Sequence, residues 1–220
     1  YGDHRDLQLS LRRQREMCLR ESGKSSCVQL LAQALTYQRQ SVGVLTTIGN
    51  GGWPTLTASP LTTLEPIALQ QQMALFRQAN VGSMAMEVSS HALVQGRVNS
   101  VAFDVGVFTN LSHEHLDFHG DMASYAEAKF SLFAMKGLRY GVVNWDDRYG
   151  RDLMERQKGV EWIAYSLSND SIAYPCVRAK SVSLLADGLE FVVDTPLGSF
   201  PCPFRTTPPG GGSGRGGRGE

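Results

Sequence analysis

Net charge is missing from this chain: 21 Lys and Arg balance 21 Asp and Glu over 220 residues. That balance removes any global electrostatic case for nucleic acid or an anionic membrane as a partner. No apolar run approaches the length that spans a bilayer. No apolar stretch follows the N-terminal arginines, so the start does not read as a secretory signal. Cysteines are few (Cys18, Cys27, Cys176 and Cys202) and form no C-x-x-C pair. Scattered like this, they read as reduced thiols in small core positions of a cytoplasmic protein. No internal repeat is visible, and no histidine follows His119. The first residue is Tyr1 rather than Met, which suggests a fragment or a processed chain.

What is present falls into three zones. Residues 1–21 are polar and charge-rich, with "LRRQRE" at their centre. The last stretch, "RTTPPGGGSGRGGRGE" (205–220), is too rich in Gly, Arg and Pro to bury a core and reads as a disordered, solvated tail. Between them, residues 22–204 alternate apolar runs with helical patterns. Val28, Leu31, Ala32 and Leu35 recur at helical spacing within 25–40. "SVGVLTTIG", "GSMAMEVS", "VAFDVGVFTN", "YGVVN" and "EWIAYS" read as strands. Helices are expected over Pro66–Ala79, Met122–Met135 and Asp147–Gln157. After Ile172 short strands and turns take over, with an Asp187-Gly188 hairpin signal. The expected class is α/β: a mainly parallel sheet flanked by helices, with a small antiparallel β addition near the C-terminal end.

In an open parallel sheet, ligands sit beyond the carboxyl ends of the strands, and three polar clusters fall there. Gly23-Lys24-Ser25 has the ending of a phosphate-binding loop: N–H groups for phosphate oxygens, a Lys for the terminal phosphates, a hydroxyl for Mg²⁺. The full G-x-x-x-x-G-K-[ST] pattern needs Gly where Cys18 stands, so an ordinary helix start competes with a nucleotide site. Glu87 ends an apolar strand as a cation ligand or a plain surface strand end, and Ser89 and Ser90 can cap the next helix. His113, His115 and His119, with Glu114, Asp117 and Asp121, have the density of a metal site. They nearly match the H-x-H-x-D-H of zinc hydrolases, but Phe118 stands where a histidine is required. Lys129, between Ala128 and Phe130, reads by default as a solvated lysine.

Taken in order, "MEVSSHALVQGRV" and "FTNLSHEHLDFHGDM-SY-EAK" resemble the central-domain signatures of the Mur ligases of peptidoglycan synthesis, in their MurE branch. "TIGNG", "LTTLEPIALQ" and "NWDDRYGRDL" match as well, and the resemblance runs over about 22–203. It implies an ATP-dependent carbon–nitrogen ligase that adds a diamino acid to UDP-N-acetylmuramoyl-L-alanyl-D-glutamate through an acyl phosphate. Lys24, with Gly23, would meet the ATP phosphates. Ser25, Glu87 and His115 would be Mg²⁺ ligands. Lys129 would carry a carbamate for a second Mg²⁺. Lys24, His115 and Lys129 are then the catalytic group. Thr62, Thr63, Ser89, Gln95 and Arg97 would hold the UDP-muramoyl dipeptide. The resemblance also implies a cytoplasmic monomer with neither a nucleic acid nor a membrane partner.

Several departures lead to a further expectation. "RESGKS" stands where the family reads G-T-N-G-K-T, which sets Glu21 near phosphate oxygens. No match to the family's uridine-binding, adenine-binding or C-terminal segments is visible. A truncated or frame-shifted, inactive central domain is therefore expected, with a non-catalytic Mg²⁺- or nucleotide-binding module as the alternative.

Overall fold

The structure is a computed structural model that describes residues 23–112, 116–186 and 188–205. The expectations for residues 1–21 and for the tail after Arg205 lie outside the described residues. Helix α1 (Lys24–Tyr37) buries Val28 and Ala32. They pack on Val42 and Val44 of strand β1 (Val42–Leu45) and Ala85 of β3 (Ser83–Met86). Leu31, expected on the same stripe, stays 47% exposed, because only one narrow face of the helix meets the sheet. The opposite face of β1 meets helix α2 (Pro66–Gln78), which opens with proline at its first turn. Leu45, Leu69 and Phe76 form that second layer with Val98 and Val101. A Cβ on Gly43 would lie 2.6 Å from the Phe76 ring, so only glycine lets α2 approach so closely.

β1 pairs parallel with β3 and antiparallel with the short β2 (Asn50–Gly52), giving the order β2-β1-β3. The expected strand over 41–49 stops at Leu45. Thr46, fully buried, turns its hydroxyl onto the backbone of Ile48 and Gly49 and bends the chain away. After β3 come α3 (Ser90–Val94) and β4 (Val105–Phe108). Helices α4 (Leu116–His119) and α5 (Met122–Phe130) follow, then a 3₁₀ turn over Ser131–Ala134, so the helix expected to Met135 tightens at its last turn. β5 (Tyr140–Asn144), α6 (Arg148–Arg156) and β6 (Glu161–Ser166) complete the strand–helix alternation.

A six-stranded sheet has the order β4-β5-β6-β7-β8-β9, with β7 at Cys176–Leu185, β8 at Gly188–Thr195 and β9 at Gly198–Arg205. β4 to β7 pair in parallel, and β7 to β9 are antiparallel. The hairpin signal appears as the Leu185–Gly188 pairing, with Asp187 itself outside the described residues. One core cluster, including Phe108, Phe130, Phe133, Val143, Leu153 and Trp162, welds the helices to β4–β6. The α/β class with its antiparallel addition is therefore present, with the parallel pairs shared between two hydrogen-bonded sheets. The cysteines depart from expectation: Cys27 is exposed, Cys176 and Cys202 are half-buried, and all three are free thiols. Cys27 is not part of the buried Val28–Ala32 stripe of α1 and lies near enough to Tyr165 of the second sheet to influence its ionisation.

Candidate functional site

Strands β1 and β3 run parallel, so their carboxyl ends lie side by side, and the next residues of each meet. Glu87 follows β3 and continues the pairing through its N–H to the Leu45 carbonyl at 2.9 Å. Its side chain turns inward and is 2% exposed, which overturns the surface-strand-end reading. One carboxylate oxygen accepts from the Thr47 N–H at 2.9 Å and from the Thr47 hydroxyl at 2.7 Å. The other accepts from the Ser25 hydroxyl at the start of α1. All three donors are uncharged, and Glu87 belongs to none of the ion pairs found among the described residues. A buried carboxylate of this kind favours an added cation.

Gly23 caps α1 at φ +64°, a conformation that glycine adopts without the Cβ penalty. The cap has no side-chain bond and the first turn has no acidic residue. The helix therefore presents the N–H groups of its first turn and a positive dipole end next to Glu87. Lys24 lies at the junction of two clefts. One, of about 280 Å³, is lined by Lys24 together with Thr62, Thr63, Ser89, Gln95 and Arg97. The narrower, of about 60 Å³, runs from Lys24 past Ser89 and Ser90 to Asn110 and Lys129. The structure thus brings together residues spread over more than a hundred positions of the chain.

Thr63 is a hinge of this arrangement. Its buried hydroxyl donates to the Glu87 carbonyl and accepts from the Ser89 N–H, both at 3.0 Å. Ser89 then caps α3, accepting from the Ala92 N–H at 3.2 Å. Thr62 reaches Thr47 at 3.1 Å. The Thr47 hydroxyl has a single proton, which goes to Glu87, so Thr62 is the donor in that pair.

Lys129 corrects the solvated-lysine reading. Its ammonium donates to the Asn110 carbonyl at 2.8 Å and lies 4.7 Å from the centre of the Tyr125 ring and 5.9 Å from that of Phe108. It turns inward because the neighbouring face of α5 (Tyr125, Ala126, Ala128) is buried. The loop after β4 is held at two further points. Asp147, the N-cap of α6, accepts from the Leu111 N–H at 2.9 Å, and Tyr165 donates to the Thr109 carbonyl at 3.3 Å. Burial, aided by Cys27, Asp147 and Asp146, pushes the Tyr165 phenol up to about 12.

His115 and His113 lie outside the described residues. His119 meets the Ser90 hydroxyl at 2.9 Å and stacks on Tyr125 with ring centres 4.8 Å apart. Among the described residues no three His, Cys, Asp or Glu side chains come together as a metal cluster. The residues present suit Mg²⁺ rather than a softer metal: a serine hydroxyl and a carboxylate are hard oxygen donors. Reading the sequence alone missed Thr47, Asp147 and Tyr165. Thr47 had a usable signal, since it lies two residues past the last residue of a buried parallel strand.

A family model for the Mur ligase middle domain matches residues 22–209. The chain belongs to the Mur ligase family. It is similar to the UDP-N-acetylmuramoyl-L-alanyl-D-glutamate–2,6-diaminopimelate ligase of Pseudomonas aeruginosa, with 44% identity over 177 residues, 80% of this chain and 36% of that protein. The enzyme of the same name from Coxiella burnetii is 44% identical over 181 residues, 80% of this chain and 37% of its own length. A solved structure of a ligase of this name superposes with a TM-score of 0.74 at 31% identity, covering 81% of this chain and 36% of that one. MurF from Acinetobacter baumannii shares the fold at a TM-score of 0.61 and 16% identity, covering 84% of this chain and 37% of that one. The chain therefore spans about a third of the length of the relatives it matches. Within a Mur ligase middle domain, Lys24 stands where the two clefts meet, next in sequence to Ser25 of the Ser25–Glu87 pair, and Lys129 lines the narrower cleft.

Proposed function

We propose that the chain is the middle part of a MurE-type ligase of the cytoplasm, acting as a monomer, which binds Mg-ATP and UDP-N-acetylmuramoyl-L-alanyl-D-glutamate and joins a diamino acid to the dipeptide. The observation that carries this reading is Glu87. It is a buried carboxylate bonded to Ser25 of α1 on one side, and its backbone carbonyl is held by Thr63 of the dipeptide cleft on the other. The chemistry requires a carboxylate to attack the γ-phosphate of ATP, although both are anionic. Lys24, at the junction of the clefts, offers the charge that offsets this repulsion. Mg²⁺, when bound by Ser25, Glu87 and His115, and by a Lys129 carbamate, supplies further neutralisation of phosphate charge. Thr62, Thr63, Ser89, Gln95 and Arg97 fix the dipeptide so that its terminal carboxylate meets the phosphate. A new O–P bond forms, ADP leaves, and the acyl phosphate is attacked by the amine. Phosphate departs and the amine loses a proton as the amide forms.

Glu21 stands two residues before Gly23 in the sequence, at a position where the family reads an uncharged residue, so the chain by itself is expected to release no phosphate above background. Calorimetric titration tests the reading. The UDP-muramoyl dipeptide is expected to bind, and Lys24→Ala to abolish the heat from Mg-ATP phosphate contacts. Absence of dipeptide binding by the unaltered chain overturns the ligase reading. Heat from Mg-ATP alone would leave a plain nucleotide-binding module.

A further inference from the structure

Arg97 lines the dipeptide cleft, yet its guanidinium is held from behind at every nitrogen. Nε donates to the Gln95 side-chain oxygen at 2.7 Å, Nη1 to the Thr63 carbonyl at 3.1 Å, and Nη2 pairs with the Glu65 carboxylate at 3.0 Å. A guanidinium has five N–H bonds, so three are committed and two remain for a ligand. Arginine is chosen where planar, two-pronged recognition of a carboxylate is needed, and that recognition depends on the plane being fixed.

Glu65 is the only charged group in this set of holders, and it has another peculiarity. It is the N-cap residue of α2, yet its side chain makes no capping hydrogen bond. The carboxylate leaves the helix end and reaches Arg97, 32 positions further along the chain, instead. The pair is unequal: the Arg97 side chain is 17% exposed and that of Glu65 57%. An ion pair so open to water adds little to stability. Its geometric effect is on the buried partner, whose orientation it sets.

We propose that Glu65 is a positioning residue: it fixes the plane of Arg97 so that the two remaining N–H bonds receive a carboxylate of the bound glutamyl dipeptide. This rests on the ligase reading for the identity of the ligand, but not for the behaviour of Arg97 in the free protein. The hydrogen-bonding oxygen does the fixing, so Glu65→Gln retains the function and Glu65→Ala loses it.

The experiment uses the 220-residue chain and has two arms. The first follows the Arg97 Nε–Hε resonance without ligand. It is expected to be sharp and slowly exchanging in the unaltered chain and in Glu65→Gln, and broadened or fast-exchanging in Glu65→Ala. The second measures calorimetric affinity for the UDP-muramoyl dipeptide, expected to weaken about three- to five-fold in Glu65→Ala and to recover in Glu65→Gln. The melting temperature should move by less than about 2 °C, because the side chain caps nothing. An Arg97 resonance unchanged in Glu65→Ala overturns the positioning role. A loosened Arg97 with unchanged dipeptide affinity overturns its purpose. If the unaltered chain binds no dipeptide, the ligase reading and the proposed ligand fall together, and the resonance still decides whether Glu65 fixes Arg97.

Discussion

At Glu87 a buried carboxylate is met by two hydroxyls and a backbone N–H, whereas at Lys129 an ammonium is met by a backbone carbonyl and two ring faces. In both, these contacts orient a charged group through neutral atoms. They differ in what can replace the charge. A glutamine at 87 keeps every bond. Its oxygen accepts both bonds from Thr47, its amide donates to Ser25, and the Ser25 hydroxyl rotates from donor to acceptor. Nothing neutral of the same length serves at 129, because ring faces attract the positive charge itself. The end of the cleft that holds the anion is thus built for a removable charge; at the other end the unmodified lysine uses a positive charge that carbamate formation would remove.

The largest expected effect follows at the first end. Glu87→Gln should lower the affinity for Mg-nucleotide by more than about 100-fold, since a direct cation ligand loses its charge. The same variant should melt no lower than the parent, because burying a carboxylate without a cationic partner is unfavourable. Parallel calorimetry and thermal melts decide this. A Glu87→Gln that binds Mg-nucleotide like the parent would remove the carboxylate from the metal site. One that melts several degrees lower would show that the negative charge itself holds the fold.

The second end reverses the pattern. Lys129→Met keeps the apolar stem on α5 but loses the bond to the Asn110 carbonyl and both ring contacts. The cost should be about 1–2 kcal/mol, or a melting temperature lower by about 2–6 °C. Amide exchange at Leu111 should quicken, since the loop after β4 loses one of the three tethers seen among the described residues. An unchanged melt would mean that the ammonium contributes no net stability where it sits.

The comparison also separates what the amino-acid order discloses from what it hides. Strand β1 was legible because its four residues are all apolar, β3 through its apolar run, and α6 as a helix starting about Asp147. Ser25 and Glu87 were each visible as polar groups next to regular elements. Their bond was not, because 62 positions separate them and only the parallel pairing of β1 with β3 makes them neighbours. Thr47 was hidden by the strand reading of "SVGVLTTIG": Thr is a good strand residue, and only the buried Thr46 hydroxyl ends the strand before it. Asp147 was legible as the start of a helix, and the structure makes it the N-cap. Its second oxygen, on Leu111, serves a loop 36 positions earlier, and no local pattern carries that. For Lys129 the pattern misled: a lysine on an apolar helix usually reaches for water, and here the cleft lies on the inner side.

The smallest expected effect concerns the third tether of the Lys129 end. Burial, first of all, raises the Tyr165 phenol to about 12 from an ordinary value of 10.0. The unfolded chain therefore loses this proton at lower pH than the folded one. Above pH 10 the unfolded state is the one that gains from ionising, so the contribution of Tyr165 is fully present below about pH 10 and disappears as the pH rises through about 12. Tyr165→Phe removes the titration together with the 3.3 Å bond to the Thr109 carbonyl, a long contact worth at most about 1 kcal/mol. At pH 7 the variant should melt within a few degrees of the parent. Between pH 10 and 12 the parent should lose stability more steeply than the variant, and the two melting curves should converge. Melts at half-unit steps across that window check it. Parallel decline of both proteins would mean that Tyr165 ionises in the folded chain as readily as in the unfolded one, and that this tether is open to water.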